Sequence, residues 1–182
     1  MVRMDLERIA RLGPVETLEP ARTHATAARL DTLDALARSA AMALHTSIGL
    51  ICLDEGETLR LVGRHGTDLP RVRRENTFCD QTLRELQPLV VSNARLDPRF
   101  QFRPFVTGQP GLLAYAGAPL ISDTGEVMGT ICVLERYGRS FEAGEILSLL
   151  RLADLASQAL CDMHDDLRAV PARPETPGVT NS

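Results

Sequence analysis

Residues 112–135 read LLAYAGAPLISDTGEVMGTICVLE, and this stretch decides the fold of the chain. Two apolar runs, 112–121 and 127–134, flank a polar segment in which Asp123 and Gly125 favour a turn, so the stretch predicts a β-hairpin. Both runs are apolar at consecutive positions, which is typical of strands that are covered on both faces. We expect this hairpin to lie in the middle of the core.

Small residues occupy the first strand of this hairpin, where they leave little side-chain volume. They are Ala114, Ala116, Gly117 and Ala118. Such positions either let a helix lie close to the sheet or leave space for a small guest molecule. The sequence leaves both interpretations open, and the choice between them is the functional question.

The composition indicates one globular domain. At 182 residues, with 44% hydrophobic and 24% charged residues, the chain is long enough for one domain with its own core plus extensions. Aromatic residues make up only 4%, so the core is expected to be aliphatic. The net charge is −4 and the chain has no basic run, which argues against a nucleic-acid partner.

The four cysteines, Cys52, Cys79, Cys132 and Cys161, are far apart, and three of them have apolar surroundings. This pattern is typical of reduced, buried thiols in a cytoplasmic protein. The first residues are charged and lack the apolar core of a signal peptide, and no segment approaches the roughly 20 apolar residues of a membrane span. We therefore expect a cytoplasmic protein without a membrane partner.

The periodicity of apolar residues predicts the first half of the fold. A helix is expected from Thr26, because apolar residues recur there every three or four positions among charged ones. The segments 48–53 and 58–63 predict a second hairpin, and the polar residues 64–76 predict a loop. Asn76 or Thr77 is then expected to cap a short helix, which is followed by a strand at 89–92.

An irregular excursion at 93–111, rich in Pro, Gly, Arg and Phe, precedes the central hairpin. Within it, Asp97 and Pro98 favour the start of a helix, which Pro104 must end within six residues. The position and composition suggest a ligand lid. The alternative is a loop whose phenylalanines fill the core.

A long helix is expected after Ser140, with Glu142 in its first turn. Apolar residues recur along it at intervals of three and four, forming a seam. We divide the chain into a partly helical arm at 1–25, one domain at 26–168 and a disordered tail at 169–182.

Two segments and the closing helix resemble the GAF domain family of bacterial sensors. The segments are FCDQTLRELQPLVVSNARLDPRF at 78–100 and YAGAPLISDTGEVMGTICVLE at 115–135. The resemblance implies an α+β fold, GAF-like and PAS-related, with a six-stranded antiparallel sheet. It further implies N- and C-terminal helices packed on one face of the sheet and a pocket on the other, beside the excursion.

The resemblance also implies a non-catalytic signalling sensor that binds a small ligand and regulates a downstream signalling protein as a homodimer. The predicted ligand contacts are Phe78, Cys79, Arg95, Asp97, Phe100, Phe102 and Tyr115. The predicted dimer contacts are Leu30, Leu33, Ala37, Leu44, Ile146, Leu149, Ala153, Leu160 and Met163. The helix seams could serve the core, the dimer or both.

Known ligands of the family do not match the residues present. A bilin needs an exposed Cys, usually beside a His, and no Cys here has an adjacent His. The Asn-Lys-Phe-Asp-Glu set of cyclic-nucleotide binders is absent, and haem is not supported. The ligand therefore stays unidentified. Cys161 and His164 share a helix face, but two ligands do not hold a metal, so none is predicted.

Two other functions remain open. One is a ligand-free dimerisation or interaction module whose phenylalanines fill the pocket. The other is a thiol-dependent enzyme related to free methionine sulfoxide reductase. That enzyme needs a reactive Cys leading into the strand that begins at Leu112, and residues 105–116 contain none. Cys79, at a helix start that lowers the pKa of a thiol, would be its nucleophile.

Overall fold

A computed structural model of the chain describes residues 24–75 and 77–169. Its helices are α1 (His24–Ala43), α2 (Phe78–Glu85), α3 (Pro104–Thr107) and α4 (Ala143–Ala169). Its strands are β1 (Ile48–Asp54), β2 (Thr58–His65), β3 (Arg71–Arg73), β4 (Leu89–Val91), β5 (Ala114–Ile121) and β6 (Val127–Glu135). The strands form one antiparallel sheet in the order β3-β2-β1-β6-β5-β4. The predicted α+β fold with a six-stranded sheet is confirmed.

The predicted hairpin is β5 and β6, and it lies at the centre of the sheet. β6 pairs with β5 on one side and with β1 on the other. Gly125 closes the turn at a φ of 83°, which an L side chain rarely adopts. Ala116 and Ile131 are both fully buried. Both faces of the hairpin are covered, as the apolar runs predicted.

The two faces of the sheet carry different layers. α1 and α4 cover one face, where Ile51, Ile131 and Val133 join the apolar residues of both helices. α2 and the excursion cover the other face. The backbone of α1 lies very close to the sheet, because a Cβ atom at Gly49 would be 2.0 Å from the carbonyl oxygen of Ala37. The predicted packing of the terminal helices on one face is confirmed.

The loop predicted at 64–76 is wrong in part, because β2 continues to His65 and β3 follows at Arg71–Arg73. β3 has only three residues, and two of them are exposed arginines. Its single inward residue, Val72, pairs with Leu59 of β2. A strand this short at the sheet edge is below what an alternating pattern can reveal.

The predicted helix start at Asp97 and Pro98 is also wrong, since the helix of the excursion begins at Pro104. The carboxylate of Asp97 accepts hydrogen bonds from the backbone N–H and the guanidinium of Arg99, at 3.0 and 2.8 Å. These bonds hold a turn. Pro104 begins α3, at a position where its missing N–H costs no hydrogen bond.

The helix ends follow capping chemistry. Thr77 caps α2, as predicted, by accepting a hydrogen bond from the Asp80 N–H at 3.1 Å, whereas Asn76 lies outside the described residues. α4 begins at Ala143 and not directly after Ser140. There the Glu145 carboxylate accepts from the Glu142 N–H at 2.8 Å, which is one half of a capping box.

The arm predicted at 1–25 lies outside the described residues up to residue 23, and α1 begins at His24. The predicted tail lies outside them from residue 170 onward. Over the part of the chain that the structure describes, no helix combines the length and apolar character needed to cross a membrane.

Arg139 joins the end of α1 to the start of α4. Its guanidinium donates to the carbonyl oxygens of Leu44 and His45, just beyond α1, and to both carboxylate oxygens of Glu145, at 2.6 and 2.8 Å. The guanidinium also lies 4.5 Å from the centre of the Phe141 ring. Burial opposes ionisation of Glu145, but the Glu142 amide and Arg139 outweigh it and hold its pKa below the usual value.

Arg139→Ala should lower the free energy of unfolding by about 1–3 kcal/mol, because it leaves a largely buried carboxylate and helix-end carbonyls without a donor. Arg136→Ala, at an exposed arginine nearby, is the control and should change little. Urea unfolding measures both. A depressed pKa contributes stability above pH 4.5 that is lost on acidification, so the two variants should converge at lower pH. Equal stability at pH 7 would contradict the linkage.

Candidate functional site

Four aromatic rings fill the space between α2, the excursion and the sheet. The Phe78 ring lies 4.7 Å from Phe100, 4.6 Å from Phe105 and 4.9 Å from Tyr115, measured between ring centres. We call these four residues the aromatic cluster. Phe78 and Phe100 are 2% exposed and Tyr115 is fully buried. The rings pack against each other where the sequence suggested a pocket.

Backbone hydrogen bonds hold the excursion over this cluster. The Ala94 N–H donates to the Leu113 carbonyl at 2.7 Å, and the Leu112 N–H donates to the Phe105 carbonyl at 2.9 Å. The Val106 side chain of α3 is fully buried below them. The excursion is therefore fastened at both of its ends and in its middle.

Tyr115 turns along its own strand and covers Gly117. A Cβ atom at Gly117 would be 2.0 Å from the Tyr115 hydroxyl, so only glycine leaves room for the ring. The hydroxyl makes a hydrogen bond with Thr82 of α2 at 2.8 Å. Burial raises the pKa of Tyr115, and the hydroxyl therefore stays protonated. The space above Gly117, which the sequence left open for a guest molecule, is filled by the ring of Tyr115.

Three buried cysteines meet beside Tyr115. Cys52 comes from β1, Cys79 from the first turn of α2 and Cys132 from β6, and their Sγ atoms all lie within 4.8 Å of one another. The Sγ atoms of Cys79 and Cys132 are 3.6 Å apart. The Tyr115 hydroxyl donates to the Cys79 sulfur at 3.7 Å. We call these three residues the thiol cluster.

The three thiols differ in acidity. Hydrogen bonds from the Cys132 and Cys52 thiols lower the pKa of Cys79 well below its usual value, against the effect of burial. The same contacts, with burial, raise the pKa of Cys132. The Thr130 hydroxyl also favours the Cys79 thiolate, yet its Oγ1 makes no hydrogen bond of ordinary geometry within the described residues. Cys79 is the thiol that ionises first.

The structure brings together four of the seven predicted ligand contacts: Phe78, Cys79, Phe100 and Tyr115. Asp97 lies outside this group and is bonded to Arg99. Arg95 is exposed, and Phe102 is 82% exposed. The predicted set is therefore divided between a packed interior and the surface of the excursion.

An open groove of about 510 Å³ lies beside β4, where the excursion begins. It is lined by Val90, Val91, Ser92, Asn93, Leu96, Asp97, Pro98 and Arg99. Only Asp97 among these was a predicted contact. The sequence signal for the others was the strand predicted directly before the excursion. That strand, β4, is last in the sheet order and is therefore an edge strand.

The predicted dimer contacts mostly face the sheet. Seven are buried within the protomer, whereas Leu30 and Ile146 are half-buried. The seven are Leu33, Ala37, Leu44, Leu149, Ala153, Leu160 and Met163. Cys161 is half-buried on α4, and the side chain of His164 lies outside the described residues. Among the side chains that the structure describes on these two helices, the large exposed apolar ones are Met42, Leu147 and Leu155.

Residues 26–160 match the family model of the GAF domain. The chain belongs to the GAF domain family. GAF domains occur in sensors and signalling proteins. A curated relative, a cyclic di-GMP phosphodiesterase of Pseudomonas aeruginosa, is 34% identical over 94 residues. That match covers 52% of this chain and 16% of the relative.

Solved structures of GAF domains share the fold. The GAF domain of a phosphoenolpyruvate-protein phosphotransferase from Acinetobacter aligns with a TM-score of 0.63 and 16% identity, covering 77% of this chain and 86% of that one. Free methionine-R-sulfoxide reductase from Neisseria meningitidis aligns with a TM-score of 0.61 and 18% identity, covering 78% and 81%. At these identities the likeness concerns the fold.

Proposed function

We propose that this GAF domain is a non-catalytic regulatory module that pairs with a second copy through α1 and α4 and so controls a downstream signalling protein. The observation that carries the proposal is the apolar surface that the two helices expose. Met42 is 66% exposed, Leu147 57% and Leu155 51%. Exposed apolar residues mark an interaction surface when they form one patch, whereas isolated ones are ordinary.

The two helices are arranged as a dimerisation surface requires. The Arg29 guanidinium donates to the Asp162 carbonyl at 3.2 Å, which joins the start of α1 to the later half of α4. Arg139 joins their opposite ends. The helices therefore run antiparallel, side by side. Leu147 and Leu155 lie two turns apart on one face of α4, so both can contact the same partner helix.

Leu147→Asp combined with Leu155→Asp should convert a dimer to a monomer, because it places two charges in an apolar contact. Analytical ultracentrifugation over a range of concentrations measures the change. Leu86→Asp is the matched control: Leu86 is 50% exposed on the opposite side of the sheet, and Asp tolerates its left-handed conformation. A wild type that is monomeric at all concentrations would overturn the proposal.

A second candidate function, binding of a small molecule, is favoured by the groove beside β4. Its volume of about 510 Å³ is within the usual range for small-molecule sites. Its lining combines apolar Val90 and Leu96 with polar Ser92 and Asn93. The Arg99 guanidinium is already paired with Asp97 and lies 3.7 Å from Glu85, so a strongly anionic ligand is disfavoured.

Native mass spectrometry of protein purified from cells tests this candidate. A bound molecule that is lost in Leu96→Arg, with dimerisation unchanged, would support a sensor in which a ligand shifts the helix packing. Absence of any bound molecule would favour the ligand-free interaction module, since the aromatic cluster already fills the interior. The cytoplasmic location stays a prediction.

The enzyme alternative has one testable nucleophile, Cys79. We expect no turnover of free methionine sulfoxide, because the sulfur is buried beneath α2 and faces two other thiols. Turnover that disappears in Cys79→Ser would overturn the non-catalytic assignment. The name phosphodiesterase belongs to the Pseudomonas relative, and the match covers only 16% of that relative's length. Phosphodiester hydrolysis is therefore not part of the proposal.

A further inference from the structure

We propose that the thiol cluster is a binding site for one thiophilic trivalent ion, such as arsenic(III), held by the sulfurs of Cys52, Cys79 and Cys132. The three side chains come from different elements, yet they converge on one point between α2 and the sheet. An ion bound there would join α2 to β1 and β6. The proposal is independent of dimerisation and of the groove.

The spacing of the sulfurs suits a single ion. A trivalent ion with a lone pair binds three sulfurs as a pyramid, and bonds of about 2.3 Å at angles near 95–100° set the sulfurs roughly 3.4–3.5 Å apart. In the thiol cluster one pair is 3.6 Å apart and all pairs are within 4.8 Å. The 3.6 Å pair is thus close to the bonded spacing, and the widest separation has to shorten by at most about 1.4 Å.

The surroundings select a low coordination number. Among the described residues, no fourth His, Cys, Asp or Glu joins the group. The cluster is buried at 0–6% residue exposure, so the site has no open side from which solvent water supplies a fourth ligand. Structural zinc requires four ligands in a tetrahedral arrangement. A three-coordinate ion is the better match.

Charge then selects the valence. Three thiolates carry three negative charges, and a buried net charge is costly without a partner. A monovalent copper ion would leave two negative charges in the apolar core and a divalent zinc or cadmium ion one, whereas a trivalent ion leaves none. The neighbouring residues are apolar apart from Thr82, Thr130 and Tyr115, so neutrality of the complex decides.

The binding step balances without a redox partner. Arsenous acid, As(OH)₃, reacts with three thiols to form three As–S bonds and three water molecules, and arsenic remains trivalent. Each thiol transfers its proton to a departing hydroxide. Cys79 keeps 6% exposure, more than Cys52 or Cys132, and is the expected first attachment point. Entry requires α2 to move outward, which makes binding slow.

Titration of the full chain with arsenite under a non-thiol reductant tests the proposal. We expect one arsenic per chain in native mass spectrometry, the loss of three titratable thiols, an As–S absorption band in the ultraviolet and a raised melting temperature. Zinc and cadmium, tested in parallel, should bind more weakly.

Cysteine variants assign the site. Cys79→Ala should lower arsenite affinity by more than about 100-fold, since loss of even an outer-sphere partner costs 10–100-fold. Cys161→Ala, at the one cysteine outside the cluster, should leave affinity unchanged. Circular dichroism checks that each variant folds. If Cys79→Ala does not fold, Cys52→Ser is measured in its place. Unchanged binding in both cluster variants, binding that requires Cys161, or loss of only two thiols would overturn the proposal.

Discussion

Replacing Gly117 by Val should lower the free energy of unfolding by about 3 kcal/mol, at the upper end of the usual effect of overpacking. The first atom of any side chain at this position would be 2.0 Å from the Tyr115 hydroxyl and 2.4 Å from the carbon that bears it. Tyr115 is fully buried and has no space into which to retreat. Its displacement would also break the hydrogen bond with Thr82. Thermal and urea unfolding measure the loss.

Gly144→Ala is the matched control for this substitution. Gly144 lies in the first turn of α4, and nothing lies within 4 Å of an added Cβ atom. Because glycine is a poor helix former, the control should be neutral or more stable by up to about 0.5–1 kcal/mol. If Gly117→Val and Gly144→Ala unfold at the same urea concentration, Tyr115 does not occupy the place described here.

The central hairpin could be predicted because its signal is local. Two apolar runs around a turn specify strands covered on both faces, and β5 and β6 have both properties. The resemblance supplied the strand count that the pattern could not, since β3 offers only Val72 to the interior. Helix caps were less predictable: Ser140 is a favoured N-cap residue and Glu142 is not, yet α4 begins directly after Glu142, where the Glu145 carboxylate supplies the capping hydrogen bond.

For the interior site, the sequence could predict which residues come together but not whether they enclose a pocket. Phe78, Cys79, Phe100 and Tyr115 were grouped, and the structure places them together. Whether they surround a void depends on side-chain conformation. Tyr115 folds back over Gly117, two residues along its own strand, and no sequence pattern reports that choice.

The thiol cluster was missed because it depends on strand register. Cys52 pairs with Thr130, one step along the same face from Cys132, and α2 brings Cys79 above them. In the sequence Cys79 comes 27 residues after Cys52, and Cys132 comes 53 residues after Cys79. Separations this long do not match the short ligand spacings by which metal sites are recognised in a sequence. The helix seams, in contrast, were found from the sequence. Periodicity identified an apolar face on each helix but not whether the sheet or a second protomer covers it.

The sheet connects the two surfaces that the proposals use. Along β6, Ile131 and Val133 point to α1 and α4, while Cys132 points to the thiol cluster. An ion bound by Cys132 would therefore act on β6 directly between Ile131 and Val133, the two residues that pack against α1 and α4. Coupling of this kind requires that binding differ between two packings of the helices. Comparing dimer affinity with and without arsenite would measure it directly.

Glu135→Ala should destabilise the fold by about 3–4 kcal/mol, because it removes the buried carboxylate that three partly buried hydrogen bonds share. Glu135 ends β6 and is only 3% exposed. Its carboxylate accepts from the Ser47 N–H at 2.8 Å, from the Ser47 hydroxyl at 2.6 Å and from the Arg136 N–H at 2.7 Å. These bonds attach the start of β1 to the end of β6, the central strand pair of the sheet.

Glu126→Ala, at an exposed glutamate in the β5–β6 turn, is the control and should shift stability by less than about 0.5 kcal/mol. Glu135→Gln keeps the shape and one acceptor oxygen, so its loss should fall between the two. Urea unfolding orders the three variants, and hydrogen exchange at Ser47 and Arg136 locates the effect, since both amides lose their acceptor in Glu135→Ala. Protection of these amides that survives the substitution would show that the carboxylate is not what holds the two strand ends together.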